Sequence, residues 1–254
     1  GAALPTPPAQ GAGQAQPPPA GGGFMTVEQA FQMYQRLLTS LDAAIAGLLK
    51  QASGRQISLL MLGPDHEIAT LVRQASEVTA KITPQEGARE NTAYQFAQTL
   101  FFKQVIEADE LLKLEVLVGI LGGLKDECPK LRKDIMNWIA YLPVTDEHAI
   151  KHHRTVLTLL VRAKLVQAKE VDVHLAMKMD GGRAAPWVEL GLQFVRQCTL
   201  GEPLATLHEF TSILEVLGKT AQRGGPSVRR INKVMEELRA ASHAQQGQGQ
   251  GQAG

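Results

Sequence analysis

The stretch Thr155 to Gly182, TVLTLLVRAKLVQAKEVDVHLAMKMDGG, limits the folds open to this chain more than any other segment. Val156, Leu159, Leu160 and Ala163 recur at the i, i+3, i+4, i+7 spacing of one helix face. A second helix places Val171, Leu175 and Met179 on one side and Val173 and Ala176 on another, and the pair Gly181–Gly182 stops it. A helix that is apolar on more than one side has to be covered by more than one neighbour. The pattern therefore predicts two helices folded back on each other as a layer inside a stack, not a surface lid.

The punctuation elsewhere is also helical. Thr26 with Gln29 forms a capping-box pattern for a helix running to about Ala52. Asp65 is a candidate cap for a helix ending near Ile82, and Thr83, Pro84 and Glu86 make the strongest start signal in the chain. Further helices are expected from Ala108 to Glu127, from Pro129 to about Leu142, and from Thr145 into the opening stretch. Pro186 and Pro203 mark two more starts, and Gly201 and Gly225 lie near ends or turns. A last helix spans about Pro226 to Ser242. The run Ile57–Leu62, apolar except for Ser58, reads as a helical turn or buried loop because no partner strand is in sight. About ten helices of roughly 13–27 residues with short connections give an all-α class. Short connections make successive helices antiparallel neighbours, and ten in a row favour an α-solenoid of about five stacked hairpins of degenerate, HEAT-like character.

Residues 1–23 are almost wholly Gly, Ala, Pro and Gln, and residues 244–254 alternate Gln with Gly. Such compositions bury too little apolar area to offset chain entropy, so both ends are expected to be disordered linkers around a helical-repeat domain at 24–243. The linker composition further suggests a module cut from a longer polypeptide. The 254 residues are 44% hydrophobic and 20% charged, with a formal net charge of +1, which gives no general pull toward nucleic acid or membrane. No apolar run approaches the ~20 residues that span a bilayer, and the N-terminus lacks the pattern of a signal peptide. Cys128 and Cys198 lie in apolar helical patterns and fit buried thiols of a reducing, intracellular setting.

Chemistry is sparse. His148 and His152 have the spacing of a two-histidine metal site, with His153 beside them, but residue 149 is alanine where a metalloprotease needs glutamate. They read as a polar helix face rich in imidazole together with Lys151. Asp172 and His174 are two apart on a helix and diverge, so they form no acid–base pair, and His174 reads as a structural histidine bonded to a neighbouring helix end. Gly119, Gly122 and Gly123 follow no strand and precede no Gly-Lys-Ser/Thr, so they serve a close helix approach or a kink rather than phosphate. Cys128 beside Pro129 has no assignable base. Glu236 and Glu237 are expected to pair with Arg239 and Arg230. Basic patches at Lys151–Arg154, at Lys130, Arg132 and Lys133, and at Arg229, Arg230 and Lys233 leave RNA binding as the competing chemistry. Against it, Phe31, Tyr34, Phe96, Phe101 and Phe102 fall at core positions rather than among the basic residues. No catalytic, cofactor-binding or metal-ligating residue is assigned.

The runs VLTLLVRAKLVQAKEVDVHLAMKMDGG, WVELGLQFVRQCTL and LHEFTSILEVLGKTA resemble the connector region of the large scaffold subunit of the Ccr-Not deadenylase complex. That family carries an Asp-x-His-Leu-Ala-x-x-Met element, matched here by Asp172, His174, Leu175, Ala176 and Met179, followed by a long apolar helix at Val188–Leu200. The similarity is clearest over Asp146–Ala221, and the tail composition resembles a fungal version. The resemblance implies antiparallel helix pairs like the middle domain of initiation factor four-G, and a non-enzymatic connector acting in mRNA deadenylation, decay and translational repression. It implies other Ccr-Not subunits and regulatory proteins as partners, no cofactor or small-molecule substrate, no membrane, a monomeric fragment, and residence in cytoplasm and nucleus. An RNA-binding or helicase-recruiting helical module is the alternative. The Asp172/His174 element is expected to serve packing and hairpin geometry.

Overall fold

The computed structural model describes residues 23–85, 87–181 and 184–248. Among them are ten α-helices of 11 to 26 residues. They are α1 Val27–Ala52, α2 Glu67–Ala80, α3 Ala88–Leu100, α4 Leu111–Leu124, α5 Pro129–Ile139, α6 Glu147–Arg162, α7 Ala168–Met179, α8 Ala184–Arg196, α9 Thr211–Arg223 and α10 Val228–Gln248. Pairing of strand type is limited among the described residues to an isolated parallel bridge between Met25 and Ile82. No helix is long and apolar enough to cross a membrane among the described residues.

The helices form two layers. In one, α2 packs on α4, α4 on α6, α6 on α8 and α8 on α10; in the other, α1 packs on α3, α3 on α5 and α7 on α9. Consecutive helices join the layers, α1 with α2, α3 with α4, α7 with α8 and α9 with α10. This is an all-α solenoid of stacked hairpins. The stretch Thr155–Gly182 does not fold its two helices back on each other as expected: α6 packs chiefly on α4 and α8, and α7 on α8 and α9. Its two apolar sides find different neighbours, with Val156, Leu160, Val171, Leu175 and Met179 all buried. Val173 departs from the expectation. It is 47% exposed on a side of α7 that no helix covers, whereas Ala176 on the same flank is buried.

Local signals explain the helix starts. The capping box of Thr26 and Gln29 closes in both directions, at 3.1 and 2.9 Å. Pro129 opens α5, and Asp146 rather than Thr145 caps α6 by accepting from the Ala149 amide at 2.8 Å. His66 rather than Asp65 caps α2, its Nδ1 accepting from the Ile68 amide. The signal at Thr83–Pro84 does not start a helix. The Thr83 amide donates to the Met25 carbonyl at 3.0 Å, holding that segment extended beside the chain entering α1. The next helix waits until Ala88, after Gly87 at φ 75°, and Glu86 lies outside the described residues. Ile57–Leu62 contains a 3-10 turn, Leu59–Met61, but it is no buried loop because Leu60 and Met61 are 67% and 73% exposed. At the other end α10 runs to Gln248, so the helix enters the segment expected to be a tail.

α4 is largely apolar around its circumference, as its cover by α2, α3 and α6 requires, with Lys113 and Glu115 as the charged exceptions. Its glycines permit that crowding. A Cβ at Gly122 would stand 3.2 Å from the Ala163 Cβ, and one at Gly119 3.3 Å from Val72 Cγ1. Ala163 has no rotamer with which to retreat, so Gly122→Val is expected to destabilise the fold by about 1–2 kcal/mol through overpacking. A shift of the urea midpoint at unchanged slope measures this.

Candidate functional site

The histidines and basic residues of α6 converge on a polar groove of 370 Å³ between the start of α4, α6 and the end of α8. His148, Lys151, His152, Arg154 and Arg162 line it from α6, facing Asp109, Glu115 and Ser58. His148, Lys151, His152 and Arg162 fall on one face of α6, and Arg154 reaches the groove from the flank of that face. The floor is an ionic network. Glu115, buried on α4, accepts from Ser58 Oγ at 2.8 Å, from the Leu59 amide at 2.5 Å and from Arg162 Nη1 at 3.1 Å. The Arg162 guanidinium also donates to both Glu202 carboxylate oxygens, at 2.7 and 2.5 Å. One carboxylate thus caps the 3-10 turn and ties it, through Arg162, to the segment after α8.

The imidazoles are not a solvated metal-binding pair. His152 is buried and bonds the Val105 carbonyl through Nε2 at 3.0 Å, while exposed His148 pairs with Asp109 Oδ1 at 3.0 Å. His153 is fully buried, edge-on to Trp187 at 5.8 Å, and neither ring nitrogen has a hydrogen-bond partner. Burial drives its pKa down to about 3 and also lowers those of His152 and His174. No cluster of three or more His, Cys, Asp or Glu side chains poised for a metal occurs among the described residues.

These buried imidazoles make a pH prediction. Their folded pKa lies below the unfolded 6.5, so the unfolded chain binds the proton first. Stability is therefore full above pH 6.5 and falls as pH drops from there toward 3. For His153 the loss approaches ~1.4 kcal/mol per pH unit inside that window. Urea unfolding at about pH 7 and about pH 5 should show the fall. His153→Leu, which removes a titrating group without breaking a bond, should show a smaller one.

Asp172 takes the role that the sequence reading gave to His174. Buried on α7, it accepts from the Ser212 and Ile213 amides at 3.0 and 2.8 Å, supplying from a neighbouring helix the side-chain cap that α9 lacks. His174 is half-buried, and its Nε2 has no partner. It lines a shallow apolar depression with Met136, Val173 and Met177.

Both cysteines are buried, and desolvation raises their thiol pKa values, that of Cys198 to about 12, so neither is a ready thiolate. Lys130 folds over the Tyr94 ring at 4.3 Å, which takes it out of a free basic patch. On α10 the expected pairing within one helix is replaced by pairs to α8. Arg230 meets Glu189 at 3.2 Å and Glu237 meets Arg196 at 2.8 Å, because those side chains face α8. Most aromatic residues knit the core, with Phe24 and Tyr141 exposed: Tyr34 stacks on Phe96 at 3.9 Å, and Phe101, Phe102 and Tyr94 surround Trp138. The groove can thus bind and position charged groups, but it holds no nucleophile–base pair and no stacking platform.

Sequence reasoning missed the network at Glu115. Its glutamate sits in the run LLKLEVLVGIL, and a charged residue inside an otherwise apolar helix was the available signal. Among known proteins, a family model described as Cnot1 ARM repeat matches residues 49–241. No curated protein and no solved structure matches.

Proposed function

Because the chain belongs to the Cnot1 ARM repeat family, we propose that it is a non-enzymatic connector of the Ccr-Not complex, acting in mRNA deadenylation, decay and translational repression. Its part is to space neighbouring modules and to present helix faces to other subunits and regulators, in cytoplasm and nucleus. The observation that carries this reading is the family match lying over a single helical stack in which many polar groups hold helices together. Asp172 caps α9, Glu115 and Arg162 join α4 to α6 and the end of α8, and Glu189 and Glu237 clasp α8 to α10.

The test is direct. The fragment incubated with labelled, polyadenylated RNA and magnesium leaves the tail length unchanged. Tail shortening by the purified fragment, abolished by substituting one of its own carboxylates, contradicts the proposal.

A further inference from the structure

The groove along α6 does not stop at Arg154. It continues into a second cleft lined by Arg154, Gln193, Arg196, Gln197 and Arg230, so one polar trench crosses α6, α8 and α10. Most arginines in this trench are spent. Arg162 is held by Glu115 and Glu202, Arg196 by Glu237 and Arg230 by Glu189. Arg154 is different. Its guanidinium sits half-buried where the two clefts meet and pairs with no carboxylate among the described residues. Its Nε has no acceptor, and its Nη1 reaches Gln193 Oε1 at a long 3.4 Å. Lys151, one turn earlier on the same face, is exposed and also makes no ion pair among the described residues.

A guanidinium presents five N–H donors in a planar fork, and withdrawing them from water without acceptors is costly unless a ligand supplies those acceptors. We propose that this trench, centred on Arg154 with Lys151 beside it, is the docking site for an acidic peptide segment of a partner protein. The inference rests on the interaction-platform reading and names the class of partner that one surface takes. A carboxylate can pair end-on with the Nη1 and Nη2 groups of Arg154, whose Nε is closed off from solvent, with Gln197 available for the peptide backbone. A nucleic acid fits less well on two grounds. No Phe, Tyr or Trp side chain lines either cleft for bases to stack on. The other cations are already matched by Glu115, Glu189, Glu202 and Glu237, so the trench suits one or two carboxylates placed at Arg154 and Lys151 and not a continuous run of phosphates.

Fluorescence anisotropy at low salt tests this, with a short synthetic Glu/Asp-rich peptide, its Gln/Asn counterpart and an oligo(A) RNA of equal length. The acidic peptide should bind and the neutral one should not. Arg154→Gln should weaken binding about tenfold or more, and Arg154→Lys severalfold because an ammonium lacks the fork. Lys130→Gln, outside the trench, should leave it unchanged. Circular dichroism should show all three variants as helical as the parent, since Arg154 makes no ion pair that the fold would lose. Wild-type affinity in Arg154→Gln, absence of peptide binding, or displacement of the peptide by oligo(A) overturns the inference. If Arg154→Gln still captures purified Ccr-Not subunits as the parent does, the acidic-peptide site falls and the platform reading stands. If the parent captures none of them, the platform reading falls with it.

Discussion

Asp172→Ala is expected to lower the unfolding free energy by about 3 kcal/mol, a large share of the stability of an ordinary domain. The carboxylate is buried and accepts two amide hydrogens at the start of α9, so alanine strands both donors in a dry environment. Hydrogen bonds to a charged acceptor contribute ~1.5–3 kcal/mol, and an orphaned buried donor adds its desolvation cost. Asp172→Asn keeps one acceptor oxygen at similar volume and should cost about half as much. Urea denaturation gives the totals, and hydrogen exchange localises the damage to the Ser212 and Ile213 amides. A loss below ~0.5 kcal/mol for the alanine variant would contradict the capping role.

Glu115→Ala should cost about 2–3 kcal/mol, with the most evident structural effect far away in sequence. Removing the carboxylate leaves the Leu59 amide and the Ser58 hydroxyl without their acceptor and frees the 3-10 turn that carries exposed Leu60 and Met61. Arg162 keeps Glu202, so no buried cation is left bare. The reverse change, Glu202→Ala, leaves Arg162 on Glu115 and acts on a more exposed side chain; about 1 kcal/mol is expected there. Faster exchange at the Leu59 amide in Glu115→Ala but not in Glu202→Ala separates the two roles.

The helical class and the hairpin count were legible because they rest on local signals: the capping box at Thr26, Pro129 at a first turn, the two-sided apolar pattern of Thr155–Gly182. What the sequence concealed was decided across the stack. Thr83 looks like a cap but spends its amide on Met25, more than fifty residues away. Val173 looks like a core residue by period, yet α7 has neighbours on fewer sides than its apolar residues suggest. His153, beside Lys151, Arg154 and another imidazole, reads as surface and is buried against Trp187 because α8 closes over that turn. Asp172 and Arg230 show the same limit, since their partners lie two helices away along the chain and no spacing rule within one helix finds them. The candidate groove was legible in part, as the basic run Lys151–Arg154, while its floor at Glu115 and its extension across α8 and α10 depend on which helices stack.

The central claim is that this helical array is a platform without catalytic activity. The most direct measurement immobilises the purified fragment and presents each other purified Ccr-Not subunit singly, at physiological salt and with nuclease present to remove RNA bridges. Stoichiometric retention of at least one subunit is expected, weakened by charge reversals on solvent-facing helix residues and unaffected by the nuclease. Retention of no subunit, together with tight binding of poly(A) that is lost when Arg229, Arg230 and Lys233 become glutamate, would contradict it.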